Sequence, residues 1–452
     1  MNLKICITSF ITLCVLSQTS HALEVKFEQD SAIPMVYLNV AIKAGAVHDP
    51  EGQSGVSHFM GQMLRRGTNK KSKEQIDLAF DQIGAHLEVE TRSEALILRG
   101  ASLANKLPEF LELVGELITE SNFPEIEISK LKREVVSQIL EERGKDGSLA
   151  RTKWDQFLFE GHPYGKAIKG SIGHIERLKR KDLINQYDRF FQDQHILVVG
   201  SGDSESSFIE AWAKRIAEKR PNLQRKDNVQ MVTAPTPHTQ RRVEIVDKPD
   251  RTQTQVFLGQ SGLRMTDPEF FPLFLGNHAF GGGSFSAKLM VEIRVKRGWS
   301  YSAYSYFRHG LRPRSWQAFY FPATKDTPDA IALGLQLMSD LKQNGITEED
   351  YDFAQASLVN SAGFMFNTPQ KRVENILLER TLELPDGFMK SYGSALSRVS
   401  RAEVNAALKK FIKPETFSIL VLGTAKDLKA KVSKATGVAE NKISVVPFNR
   451  DE

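Results

Sequence analysis

Apolar and polar positions along this chain follow two periods, and the periods alternate in the same order twice. Residues 86–98 alternate with period two: Leu87, Val89 and Thr91 face opposite to Glu88, Glu90 and Arg92, the pattern of half-buried strands. Four shorter runs rich in β-branched residues and bounded by glycine predict further strands. They are "MVYLNVAIKAG" (35–45), "HILVVGSGD" (195–203), "TQVFLGQSG" (254–262) and "FSILVLGTAKD" (417–427). Helical periodicity fills the intervals. An amphipathic helix closes at Phe190-Phe191 before one strand and at Phe411-Ile412 before its counterpart, and helices over 127–139 and 347–359 occupy matching places.

The correspondence extends to punctuation. An acidic-proline step, Asp49-Pro50 or Asp267-Pro268, follows the first strand of each unit and precedes a helix. A duplication accounts for this pattern most simply. Residues 226–242 carry Pro235, Pro237 and threonines without an amphipathic period, and read as a linker between halves at 23–225 and 243–452. Each half runs β-α-β-α-α-α-β. The fold class expected is α+β: two homologous α/β-sandwich halves, each a mainly antiparallel sheet with helices packed on one face.

Composition narrows the function classes. The 452 residues, 41% hydrophobic and 25% charged, describe a globular protein with room for full-sized cores. Residues 1–22 stand apart: Lys4, an apolar run over 5–16, and Ser20-His21-Ala22 before Leu23 predict a secretory signal peptide and a periplasmic or secreted product. Its apolar run is well short of the ~20 residues that span a bilayer, and no later segment is long and apolar enough to do so. Leu13 before Cys14 argues against a lipoprotein box. Cys6 and Cys14 both fall in this leader, so the exported portion carries neither disulfides nor thiolate ligands. Without Lys4 there are 59 basic residues against 55 acidic, a balance that does not call for nucleic acid. The "GSG" around Gly200 lacks the third glycine of a dinucleotide fingerprint, and Gly281-Gly282-Gly283 lacks the lysine of a phosphate loop.

The chemistry-bearing stretch is "GVSHFMGQMLRRGT" (55–68). Two histidines four apart on a helix share a face and can hold zinc at ~2 Å, with a glutamate between them as general base. Here only His58 can ligate. Gly61 has no side chain, Gln62 offers a neutral amide, and a helical glycine costs about 1 kcal/mol relative to alanine. The matching positions Ala44-Gly45, Gly55, His58-Phe59, Met63-Leu64 and Gly67-Thr68, the spacing over 81–94 and the segment "GGGSFSAKLMVEIRVKRGWSYSAYS" (281–305) resemble the insulinase/pitrilysin family. Those peptidases carry an inverted H-x-x-E-H zinc motif. The resemblance implies halves that close as a clamshell over a peptide chamber. It also implies a third zinc ligand, a glutamate, where this chain has Gln138 or Ile139, with Glu134, Glu141 and Glu142 nearby. Base, second histidine and glutamate ligand are all missing, so His58, Gly61, Gln62 and Ile139 mark a degenerate zinc site and no metal is expected in this chain.

The second half differs. The resemblance implies an arginine and a tyrosine seven residues apart that reach across to the zinc site of the other half. Arg294 and Tyr301 have that spacing, and Arg297 and Tyr304 repeat it three residues on. Arginine can grip a substrate carbonyl or carboxylate, and a tyrosine hydroxyl can donate to an oxyanion. Some two-chain members of the family divide the labour between a metal-bearing subunit and one that supplies this pair. The expectation is therefore a non-catalytic subunit, Arg294 and Tyr301 its transition-state groups, a zinc-bearing paralogous peptidase its partner and an extended peptide the substrate. The alternative is a scaffold that captures extended peptides by strand addition.

Overall fold

The computed structural model describes residues 23–192, 195–219, 229, 231–283 and 285–451. The expected leader, both cysteines and part of the linker lie outside them. Two sheets organise the chain. The first contains β1 (Glu24–Gln29), β2 (Met35–Ile42), β3 (His86–Thr91), β4 (Leu96–Leu103) and β5 (Ile196–Gly202), in the order β1-β5-β2-β4-β3. The second contains β6 (Arg242–Asp247), β7 (Gln255–Ser261), β8 (Ala303–Phe307), β9 (Ser315–Tyr320), β10 (Ser418–Gly423) and β11 (Ser444–Pro447), in the order β11-β6-β10-β7-β9-β8. Setting β11 aside, the two orders are identical, strand for strand, so the internal repeat is one of topology as well as of sequence. Pairing is antiparallel except where β1 joins β5 and where β6 joins β10 and β11. The pattern does not single out β1, β6, β8, β9 and β11; β1 and β6 carry charged residues, and β11 is only four residues long.

The expectation of helices on one face is corrected. Each sheet is covered on both faces, because each half lends a helix to the other. The helix Asp146–Leu158 of the first half lies on β7 and β10. Its Trp154 stacks on Phe257 with ring centroids 5.6 Å apart and donates its indole N–H to Gln317 Oε1 at 2.6 Å. Reciprocally, the helix Pro369–Thr381 lies on β2 and β5, packing Val373 and Leu377 against Ala41, Ile97, Leu197 and Val199. Arg99–Glu374, Arg372–Asp30 and Arg380–Glu24 ion pairs rim that contact. This is why β5 and β10 are buried along their whole length and read as unbroken apolar runs rather than alternating ones. Among the described residues no helix is long and apolar enough to cross a membrane.

Candidate functional site

The motif helix spans Val56–Met63 and begins at Gly55, whose φ of 91° is left-handed backbone that favours glycine. A Cβ there would also stand 2.5 Å from the carbonyl oxygen of Lys169. Asp49 caps the helix from six residues upstream. Its Oδ2 accepts the Gly55 N–H at 2.6 Å and its Oδ1 the Ser57 N–H at 3.1 Å, with the Ser57 hydroxyl donating to the same oxygen. These bonds meet the unpaired N–H groups of the first turn. Burial nevertheless pushes the Asp49 carboxyl up to about 6.

His58, Gln62, Gln138, Ile139 and Glu142 line one cavity of about 550 Å³, with edge strand β3 along another wall. The structure thus assembles the degenerate zinc positions that the sequence singles out. Gln62 and Glu142 are engaged within the chain, and His58 is not. His58 Nε2 is buried without a hydrogen-bond partner, and desolvation, helped by the nearby Lys169 charge, depresses the imidazole to about 4. Gln62 donates its amide to the Val89 carbonyl of β3 at 2.9 Å, and Arg65 donates to the Leu87 carbonyl two residues earlier. Ile139 is a buried apolar residue of the helix Glu125–Gly144. Glu142, one turn on, accepts a hydrogen bond from Lys169 Nζ at 2.7 Å. At Gly61 a Cβ would fall 2.5 Å from Leu96 Cδ1 and 3.2 Å from Thr91 Oγ1, so a side chain fits there only if these side chains shift.

These residues do not fit zinc. One imidazole, one carboxylate held by an ammonium and an amide bound to backbone are too few free electron pairs for a metal that takes at least three protein ligands. Among the described residues no three His, Cys, Asp or Glu side chains gather where they could hold a metal ion. Sequence reasoning missed Lys169 and Arg65. Nothing in the motif spacing points to Lys169, which arrives from a distant loop.

In the second half, π-helical turns at His278–Gly282 and Val291–Val295 bracket the glycine-rich loop. Such turns recur at functional sites. Arg294 projects from the second turn, its guanidinium 4.4 Å from the Tyr301 ring centroid and 4.6 Å from that of Phe285. Tyr301 is 74% exposed and Phe285 60%. Among the described residues the Arg294 guanidinium makes no ion pair or hydrogen bond, so its faces are covered and its N–H edge is open. Arg297 is engaged locally, donating to Glu292 Oε2 at 2.8 Å and lying over the Trp299 ring. Lys296 and Arg297 together hold the Glu292 carboxyl down at about 2. Tyr304, on β8, is 39% exposed.

Arg294 and Tyr301 do not line the His58 cavity. The exchanged helix Asp146–Leu158 packs Trp154 with Phe257, Leu420 and their neighbours in one buried cluster.

Residues 24–168 match the family model described as Insulinase (Peptidase family M16), and residues 177–358 match the one described as Peptidase M16 inactive domain. The second match straddles both sheets. A protein of Helicobacter pylori named non-peptidase homolog YmxG is 24% identical over 406 residues, covering 87% of this chain and 90% of that one. The crystal structure of a peptidase M16 inactive domain from Pseudomonas fluorescens superposes with a TM-score of 0.83 at 22% identity, over 90% of this chain and 96% of the other. The periplasmic protease PqqL of Escherichia coli gives a TM-score of 0.75 at 14% identity, over 94% of this chain but 49% of its own length. These likenesses share the fold, two α/β halves of the clamshell type. With two models of one family matched in succession, the chain belongs to the insulinase family of M16 peptidases.

Proposed function

We propose that this chain is a non-catalytic subunit of a periplasmic or secreted zinc metallopeptidase. It would lend Arg294 and Tyr301 to a paralogous partner that bears the metal. The observation that carries the reading is the state of Arg294: a half-buried guanidinium lying over two exposed aromatic rings, with its donor edge unpaired among the described residues. An arginine held this way is preorganised for a planar acceptor such as a peptide carbonyl or carboxylate. The Tyr301 hydroxyl beside it can donate to the oxygen that gains charge as the carbonyl is attacked. The partner's zinc supplies the activated water; this chain binds and orients the peptide. By itself it hydrolyses nothing, because the general-base position is Gly61 and, of the three metal-ligand positions, two are Gln62 and Ile139. The inactive or non-peptidase names of the Helicobacter and Pseudomonas relatives support that half of the reading, and the periplasmic location of PqqL supports export.

The test is co-purification from the native host, then cleavage of an unstructured peptide by each chain alone and by the mixture. The mixture should outpace the partner alone, and Arg294→Ala should remove roughly 10²-fold of that rate, the scale for losing a transition-state donor. A mixture no faster than the partner alone sinks the shared-site reading, as does chelator-sensitive digestion by this chain alone.

A further inference from the structure

The His58 cavity has lost its fit to metal but has not become inert. Its walls carry seven basic and five acidic side chains. Most of the cations are engaged: Lys169 with Glu142, Arg308 with Asp155, and Lys166 with the Asp49 carbonyl. Arg151 is exposed and makes no ion pair among the described residues. Arg143, on the same helix as Ile139, holds the carboxylate of Asp451. That residue reaches the cavity on a segment fixed by several bonds. The Phe448 N–H donates to Asp247 O at 3.1 Å, and Lys153 Nζ donates to Arg450 O at 2.6 Å. An acidic side chain of this protein therefore already sits on an arginine of the cavity wall that also carries His58, whose buried Nε2 has no partner.

We propose that the cavity beside His58 is a recognition site for carboxylate-bearing peptides, and that Asp451 occupies its Arg143 subsite as a built-in competitor. Strand addition along this part of β3 is obstructed, because Arg65 and Gln62 already bond the carbonyls of Leu87 and Val89. Selectivity then comes from side chains, with Arg143 and Arg151 as forked donors suited to carboxylates and Lys169 adding charge. A cavity of about 550 Å³ takes a short acidic segment rather than a folded domain. Acidic side chains and a free peptide C-terminus offer the same chemistry, and the experiment separates them. This site is independent of the partner reading: it concerns the isolated chain and involves no cleavage.

The experiment is fluorescence anisotropy on the full chain with three labelled Gly/Ser/Ala peptides. One has two internal aspartates and an amidated end, one has no aspartate and a free C-terminal carboxylate, and one has neither. Either charged probe should bind, more weakly at high salt, and the one that binds identifies the source of the carboxylate. Asp451→Asn should tighten that binding roughly threefold to tenfold by removing the tethered competitor. Arg151→Ala should weaken it by about fivefold without shifting the melting temperature, as expected for an exposed arginine. Equal binding of the neutral probe, no binding of either charged probe, or an affinity unmoved by Asp451→Asn overturns the proposal.

Discussion

Two regions carry the family's chemistry in this chain, and they differ in where their polar groups point. At the His58 cavity the inherited positions other than His58, whose buried Nε2 has no partner, have been turned inward. Gln62 bonds the sheet edge, Glu142 an ammonium, Ile139 the core, and Gly61 lets the helix lie directly on Leu96. Around Arg294 the opposite holds: faces packed, edge free, rings exposed. On the proposed function, the two regions differ in whether their polar groups, His58 aside, are satisfied at home. Buried polar groups find partners or cost free energy, so a position released from function is recruited into structure. Groups kept for a substrate stay preorganised and unpaired.

Restoring the general base is the hardest strike against this contrast. Gly61→Glu drives a side chain into Leu96 and buries a carboxylate without a partner, and should destabilise by about 4 kcal/mol. A lowered urea midpoint checks it, and adding Leu96→Ala should return part of the loss. If Gly61→Glu proves neutral, the cavity is closer to a working site than its packing implies.

Acid comes next. His48, His58 and His309 are each depressed from 6.5 to about 4 by burial. Each is neutral when folded and takes up a proton on unfolding. Stability present above pH 6.5 is therefore lost as pH falls toward 4, by up to about 3 kcal/mol per histidine. Asp49, raised to about 6, works the other way and offsets part of this. Melting temperatures across that window should fall for the native chain and less steeply for His58→Gln. Arg294→Ala should leave the slope unchanged, and an equal change of slope in both variants would erase the distinction between the regions.

How much of this was legible beforehand varies with the range of the contacts. The duplication showed in runs such as "ILVVG" and "SILVLG", because strand burial imprints itself on adjacent residues. The same runs held a clue to two-sided burial, being continuous rather than alternating. The covering helices were not legible, since Trp154 and Val373 meet the opposite sheet only through tertiary structure. At the site, His58 and Gln62 are set by a local motif. Lys169, Arg65 on the Leu87 carbonyl, and Leu96 against Gly61 depend on how distant segments dock. The choice between Arg294 and Arg297 was open in the spacing, and rests on Glu292, which engages the second and leaves the first.

A smaller change probes the recruited amide. Gln62→Ala leaves the Val89 carbonyl without its side-chain donor, and should cost between about 1 and 2 kcal/mol. Faster hydrogen exchange confined to β3 would locate the loss there. A variant as stable as the parent, with unchanged exchange, would mean that Gln62 holds nothing in place.

The smallest effect on stability is expected where the largest effect on function is proposed. Arg294 touches only two exposed rings, so Arg294→Ala should shift stability by at most about 0.5 kcal/mol, the range for surface substitutions. Cleavage by the mixture with the partner should nevertheless collapse. Arg294→Lys sharpens the point, since it keeps the charge but not the planar fork, and should remain deficient if the guanidinium edge meets a carbonyl or carboxylate. Phe285→Ala removes one of the two stacking faces and should fall between parent and Arg294→Ala, because the fork is still present but less firmly aimed. Paired melting curves and cleavage rates for the three variants decide the matter. If rate falls only in step with stability, Arg294 is one more structural residue, and the two regions are alike after all.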